Sequence, residues 1–306
     1  MIDSEETRAA LGLGAAVQLV PPSNSPAALA LRRFRKHRLA LFGMWFLVAL
    51  VIVAVSAPIT APYDPAAIDL DATESPPNSS HLLGTDSIGR DVLSRLMHGT
   101  HVSLVVGFVA ALLSTVMGLL LGLTAGYFRG TTDAVISRVT EIVLSFPFMI
   151  GIIVIVAIVG AGQFAIVLGV GLMMWPTACR IVRGQVLSLR EQDFILAARA
   201  VGASDGRIMI RHLVPSVLGP LAVFTTLTVA TAILLEASLS FIGLRIRPPQ
   251  ASWGSMMREA QSLYTLESMP WLWLPPGIAI ALTILAVNFV GDGLRDALDP
   301  RQRVRD

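Results

Sequence analysis

Arg190-Glu191-Gln192-Asp193-Phe194-Ile195-Leu196-Ala197-Ala198-Arg199-Ala200-Val201-Gly202 is a short charged stretch set between long apolar runs. Phe194, Ala197, Ala198 and Val201 recur at i, i+3, i+4 and i+7, the spacing of one apolar helix face. Asp193 is placed as an N-cap, its carboxylate accepting a free backbone N–H of the first turn. Gly202 can take the left-handed geometry that ends a helix. Ser204 can cap a following helix, and Pro215 leads the chain into another apolar run. A short helix with small alanines on its apolar face invites close packing, either by another protein or by its own bundle.

The surroundings are written for lipid. The chain is 54% hydrophobic and 14% charged, where a soluble domain carries about 25% charged residues. A membrane-crossing helix needs about 20 apolar residues, and the charge-poor runs supply six. These are Leu39–Ala57, Val102–Phe128, two helices within Ile142–Cys179 divided at Gly160-Ala161-Gly162-Gln163, Leu213–Leu235 extended through Phe241, and Ser268–Gly291. Trp271 and Trp273 mark the start of the last as interfacial anchors. The first run follows a basic cluster (Arg32, Arg33, Arg35, Lys36, Arg38) and is long enough to span, so it reads as a retained helix rather than a cleaved signal. That cluster is placed to meet anionic membrane lipid, and nothing points to nucleic acid.

Six spans put both termini on one side. With that side inside, eighteen Lys and Arg residues lie inside and five outside (Arg90, Arg95, Arg245, Arg247, Arg258), as the positive-inside rule requires. The expected organisation is a cytoplasmic segment 1–38, a first transmembrane helix 39–62 and an outer segment 63–101. A five-helix core 102–292 with a cytoplasmic loop 184–212 follows, then a cytoplasmic tail 293–306. Ile88–Met97 is expected as a short helix along the outer surface. Asp86 is placed to cap it, with Arg90 and Asp91 tying it down or meeting a partner.

Few residues offer chemistry. The only lysine, Lys36, follows no glycine loop, so the chain lacks the G-x-x-x-x-G-K-[ST] pattern that cradles nucleotide phosphates. The histidines show no compact metal spacing, and no Ser-His-Asp arrangement stands out. Cys179 reads as a small buried hydrophobe. Glu236 falls within the fifth span, where a carboxylate is costly. It could face a substrate path, relay protons, or hydrogen-bond a neighbouring helix. Gly118, Gly122 and Gly126 form a small-xxx-small stripe for close helix packing, within this chain or across a subunit interface.

Several stretches resemble known permeases. Ala197-Ala198, Gly202, His212 and Val214-Pro215 fall at the places of the EAA loop of ABC-importer permeases, with Leu196 where that family has glutamate. Leu83-Gly84-Thr85-Asp86-Ser87-Ile88-Gly89-Arg90-Asp91, Glu236-Ala237-Ser238-Leu239-Ser240-Phe241, Ser252-Trp253-Gly254 and Gly291-Asp292-Gly293-Leu294-Arg295-Asp296-Ala297-Leu298-Asp299-Pro300 are similar to the C-type (DppC/OppC-like) permeases of dipeptide, oligopeptide and nickel importers. The resemblance implies an all-α integral membrane protein with six transmembrane helices, cytoplasmic termini and the type I importer permease fold, in a bacterial inner membrane. It implies a helix that couples to an ATPase through Asp193, Phe194, Ala197, Ala198, Arg199, Gly202, Ala203 and Asp205. The implied partners are a homologous B-type permease, two ABC ATPase subunits and an extracytoplasmic solute-binding protein. Asp86, Arg90, Asp91 and Trp253 would be contacts for the last. ATP and Mg2+ would sit on the ATPases, with no cofactor on this chain, and the implied activity is peptide import by alternating access. A proton-coupled transporter using Glu236 is the alternative.

Overall fold

The computed structural model describes residues 26–244 and 250–298. Arg245, Arg247, Pro248-Pro249 and Asp299-Pro300 lie outside the described residues, as do the inside-assigned Arg8, Arg301, Arg303 and Arg305. Among the described residues all regular structure is helical, apart from one isolated bridge between Thr85 and Asp91.

In chain order the main helices are α1 (Pro26–Phe34), α2 (Arg38–Thr60), α3 (Val92–Phe128), α4 (Gly130–Ser145), α5 (Phe148–Val159), α6 (Gln163–Leu189), α7 (Asp193–Ala200), α8 (Asp205–Ile208), α9 (Val214–Phe241), α10 (Trp253–Met257), α11 (Leu263–Ser268) and α12 (Pro270–Leu298). Among the described residues five helices are long and apolar enough to cross a membrane, and α4 with α5 makes a sixth crossing if counted as one broken span. The break is a 93° bend at Phe146-Pro147, where a proline cannot donate to the helical ladder and pushes the residue before it out of the α region. Counted as one span, the third crossing starts at Gly130 rather than at Ile142.

The expected surface helix at Ile88–Met97 is absent as a separate element. From Val92 onward the chain runs unbroken to Phe128, 37 residues or about 55 Å at 1.5 Å per residue, well beyond a hydrocarbon core of about 30 Å. No proline interrupts this stretch, so nothing separates a surface segment from the span. Asp91, not Asp86, is the N-cap of α3, its Oδ2 accepting from Ser94 N at 2.7 Å.

Helices α3 and α6 form the centre of the bundle. At Gly122 an added Cβ would lie 2.7 Å from both the Cys179 carbonyl and Val182 Cβ, and at Gly126 2.8 Å from Val186 Cβ. At Gly118 it would meet the Ala178 side chain. The glycine stripe thus sets a close contact with α6 of the same chain. One core cluster (Val106, Ile152, Ile166, Val170, Leu239) fills the Val92 end of α3. Another (Leu123, Val182, Val186, Ile195, Ile208, Leu213) fills the opposite end and extends under α7. Helix α2 lies at the edge with Phe42, Trp45, Ile52, Val55 and Ile59 exposed, a pattern that suits a lipid-facing helix and not one in water.

Candidate functional site

The loop between α6 and α9 is built from local rules. Gln192 is extended (φ −76°, ψ 147°) and is the N-cap of α7, making no side-chain cap hydrogen bond. Asp193 is therefore the first helical residue and not the cap; there its carboxylate still suits the positive end of the helix dipole. At the other end Gly202 N donates to Arg199 O at 3.0 Å and Ala203 N to Ala198 O at 3.1 Å. This is the Schellman pair that satisfies the last carbonyls of a helix. It needs the left-handed backbone of Gly202, φ +81°. Ser204 does occupy the N-cap of α8 but makes no side-chain cap bond. A wide turn at Met209–Leu213, closed by Val214 N to Met209 O, carries the chain into α9 just ahead of Pro215.

The apolar residues of α7 divide between two faces. Ile195 is fully buried beside Ile208 and Leu213, and Ala198 and Ala203 pack against the same cluster. Phe194 is 45% exposed and Val201 84%, with Leu196 and Ala197 also open. The expected docking face is thus corrected by one residue. Ala198 turns inward because Ile195, three positions before it, already anchors that side to the core, while Phe194, Ala197 and Val201 remain outward.

A polar network fixes this loop to the end of α3. Tyr127 Oη donates to Asp205 Oδ1 at 2.5 Å. Arg199 Nη2 donates to Tyr127 Oη at 3.3 Å, with its guanidinium carbon 5.7 Å from the ring centroid. Arg190 Nη1 donates to the Tyr127 carbonyl at 2.7 Å. Arg129 and Glu191 add an exposed pair at 2.6 Å, a kind that contributes about 0–1 kcal/mol. Tyr127 thus links the end of α3 to both α7 and α8. Sequence reading passed over Tyr127 and assigned Arg190, the first residue of the stretch, no contact; the available signal was a phenol at the very end of an otherwise apolar span.

At the opposite end the expected partner contacts are largely inside the fold. Asp86 is fully buried and Asp91 nearly so. Asp86 accepts from Ile88 N at 3.0 Å, Arg90 N at 2.9 Å, Arg90 Nε at 2.6 Å and from Arg95 Nη1. Arg95 also reaches Glu259 Oε1 at 2.8 Å. Asp91 Oδ1 lies 3.0 Å from His81 Nδ1. Trp253 is 1% exposed, its indole N–H directed to Leu96 O at 3.4 Å. Asp86, Asp91 and Trp253 therefore offer no surface to a partner, because the loops carrying them fold back onto α3 and bury their polar atoms in internal bonds. Arg90 alone of the four keeps partial exposure. Burial holds the Glu259 carboxyl above the ordinary carboxylate value, against the opposing pull of Arg95.

Glu236 is fully buried and accepts from three hydroxyls: Ser252 Oγ at 2.7 Å, Ser240 Oγ at 2.9 Å and Ser103 Oγ at 3.1 Å. Trp253 N donates to the same Ser103 Oγ at 3.2 Å. The carboxylate joins α3, α9 and the start of α10.

The family profile described as the binding-protein-dependent transport system inner membrane component matches residues 118–304. A second, the N-terminal TM domain of oligopeptide transport permease C, matches residues 25–77. A Brucella suis protein named as a candidate peptide permease is 43% identical over 284 residues, 93% of this chain and 94% of the relative. The oligopeptide transport system permease protein OppC of Bacillus subtilis is 38% identical over 296 residues, 96% of each chain. The glutathione transport system permease protein GsiD of Pectobacterium atrosepticum is 39% identical over 271 residues, 88% of this chain and 89% of the relative. Among solved structures, a chain of the MetNI methionine ABC transporter in an inward-facing conformation matches with a TM-score of 0.53 at 22% identity. That match covers 67% of this chain and 96% of the other, and it is a likeness of fold. With more than half its length under one profile and full-length relatives well above 30% identity, the chain belongs to the binding-protein-dependent transport inner membrane component family.

Proposed function

We propose that this chain is the multi-pass inner-membrane permease subunit of an ATP-driven peptide importer. It forms half of the translocation pathway, with a homologous second permease supplying the other half. The termini and the α6–α9 loop face the cytoplasm, where two ATPase subunits bind ATP and Mg2+ and α7 seats against one of them. A solute-binding protein delivers peptide at the opposite face. ATPase closure pushes α7, and the movement passes to α3 through Tyr127 and to α9 through the Ile195, Ile208 and Leu213 packing. The chain itself catalyses nothing.

The observation that carries this reading is α7. It is braced from below by Ile195, Ala198 and Tyr127, and it presents Phe194, Ala197 and Val201 outward, with the His212 ring beside Phe194. Relatives named for oligopeptide and glutathione transport support peptides as the cargo class. The test is the energy source of uptake in proteoliposomes that hold the purified complex. Import should require internal ATP, survive a protonophore, and persist in Glu236→Gln. Uptake that collapses with the protonophore and proceeds without ATP would overturn the reading in favour of proton coupling.

A further inference from the structure

A cavity distinct from the α7 loop lies at the end of the bundle where α1, the start of α2 and the end of α12 meet. It has a volume of about 650 Å³ and is walled by Leu31, Phe34, Leu41, Met44, Trp45 and Leu298, with Arg35 on its lining. That volume falls in the range of about 300–1,000 Å³ typical of small-molecule sites. Arg35 is the basic residue on that lining, and Lys36 and Arg38 follow it closely in the chain. Arg35, Lys36 and Arg38 are exposed, and none has an ion-pair partner among the described residues. Arg295, next to the cavity wall, is likewise unpaired. The carboxylate of Asp296 sits 3.7 Å from His37 Nε2, leaving the cationic groups uncompensated. Trp45 is 65% exposed, as an aromatic at a membrane interface is.

We propose that this cavity is a seat for a single anionic phospholipid, with an acyl chain against Phe34, Trp45 and Leu298 and the phosphate at Arg35, Lys36 and Arg38. An amphiphile fits because the wall is apolar while Arg35 brings charge to the lining, with Lys36 and Arg38 close by in sequence. An anion is favoured because three cations close together in the chain have no ion-pair partner among the described residues. Basic pockets beside transmembrane helices bind anionic headgroups for this reason. The bound lipid ties α1 to α12 and so holds the first span, which is otherwise little buried, against the core. Placement in the inner leaflet rests on the orientation proposed above; the site itself requires only that the chain be embedded in a bilayer.

The test uses the full chain in its purified complex, in nanodiscs of phosphatidylcholine containing either brominated phosphatidylglycerol or brominated phosphatidylcholine at equal fraction. The Trp45 contribution is taken as the difference from Trp45→Phe. Brominated phosphatidylglycerol should quench Trp45 several-fold more. The Arg35→Gln/Lys36→Gln/Arg38→Gln variant should lower the apparent affinity on the order of 100-fold, since each basic residue at an anionic surface contributes about fivefold. Equal quenching by both lipids, or a preference untouched in the triple variant, would overturn the proposal. So would a photo-crosslinking group at Leu31 that is recovered on residues 1–25 of the chain instead of on lipid. Arg32→Cys, probed with a membrane-impermeant maleimide in intact cells, reports orientation separately. Labelling from outside would overturn the inner-leaflet placement and leave the lipid preference as its own result.

Discussion

Gly202 allows the coupling role of α7 to be tested with a graded series. Its φ of +81° lies in the left-handed region, yet a Cβ added there would meet nothing within 4 Å. Substitution therefore brings no steric clash, and the whole cost is in the backbone. For an ordinary L-residue that cost is about 1–2 kcal/mol, a factor of about 5–30 in the population holding the Schellman cap. Alanine should pay the lower figure and valine, β-branched, the higher. Asparagine tolerates the left-handed region and should behave most like glycine. When the cap frays, the Ala203 N–H to Ala198 O bond is lost and the outward face at Phe194 and Val201 is no longer held in one orientation. The assay is ATP hydrolysed per peptide imported by the reconstituted complex. The ratio should rise in the order glycine, asparagine, alanine, valine, with the protein still inserted and assembled. A Gly202→Val complex as tightly coupled as the native one, or an asparagine variant as uncoupled as the valine one, would refute the reasoning.

Three further outcomes follow from packing and charge. Gly122→Leu drives a side chain into Val182 Cβ and the Cys179 carbonyl, each 2.7 Å from the position of the first added carbon, and should cost at least about 1–3 kcal/mol of stability. Gly184→Ala, on the facing helix α6 but with open space around its Cβ, should instead be neutral or gain up to about 1 kcal/mol; thermal unfolding in detergent separates the two. Glu259 has a folded-state value above the 4.5 of the free carboxyl. The folded chain therefore binds more protons than the unfolded chain in that window, and this group's contribution to stability falls as pH rises above about 4.5. Melting temperatures across pH should show the decline in the native protein and a flatter profile in Glu259→Gln.

Much of this was legible in the sequence because lipid makes the rules strict. Apolar runs of spanning length had to be helices, and the glycine stripe at 118, 122 and 126 had to meet another backbone closely. The local signals of α7 were also readable: the terminating Gly202 and the apolar spacing from Phe194. Which side of α7 faced outward was not, since a helix of eight residues carries apolar side chains on both faces and only the position of Ile195 over the core decides between them. The outer loops were the hardest. Asp86 and Asp91 look like surface residues by type, and their burial depends on a loop folding back so that Arg95 and His81 reach them, while Trp253 is buried by a partner far away in the chain, Leu96. Glu236 read as suspect because it is a carboxylate in a span; the three serines that satisfy it come from three elements, a coincidence no local pattern contains.

The central claim, that α7 is the contact through which a separate ATPase drives this chain, is tested most directly by affinity capture. The tagged full chain is recovered in mild detergent from its native membrane, and the accompanying proteins are identified by mass spectrometry. The predicted result is recovery of a second permease and a Walker-motif ATPase. The ATPase alone should be lost when residues 193–202 are scrambled in a chain that still inserts. Recovery of the chain without any ATPase across several detergents, or an ATPase retained after the scramble, would contradict it.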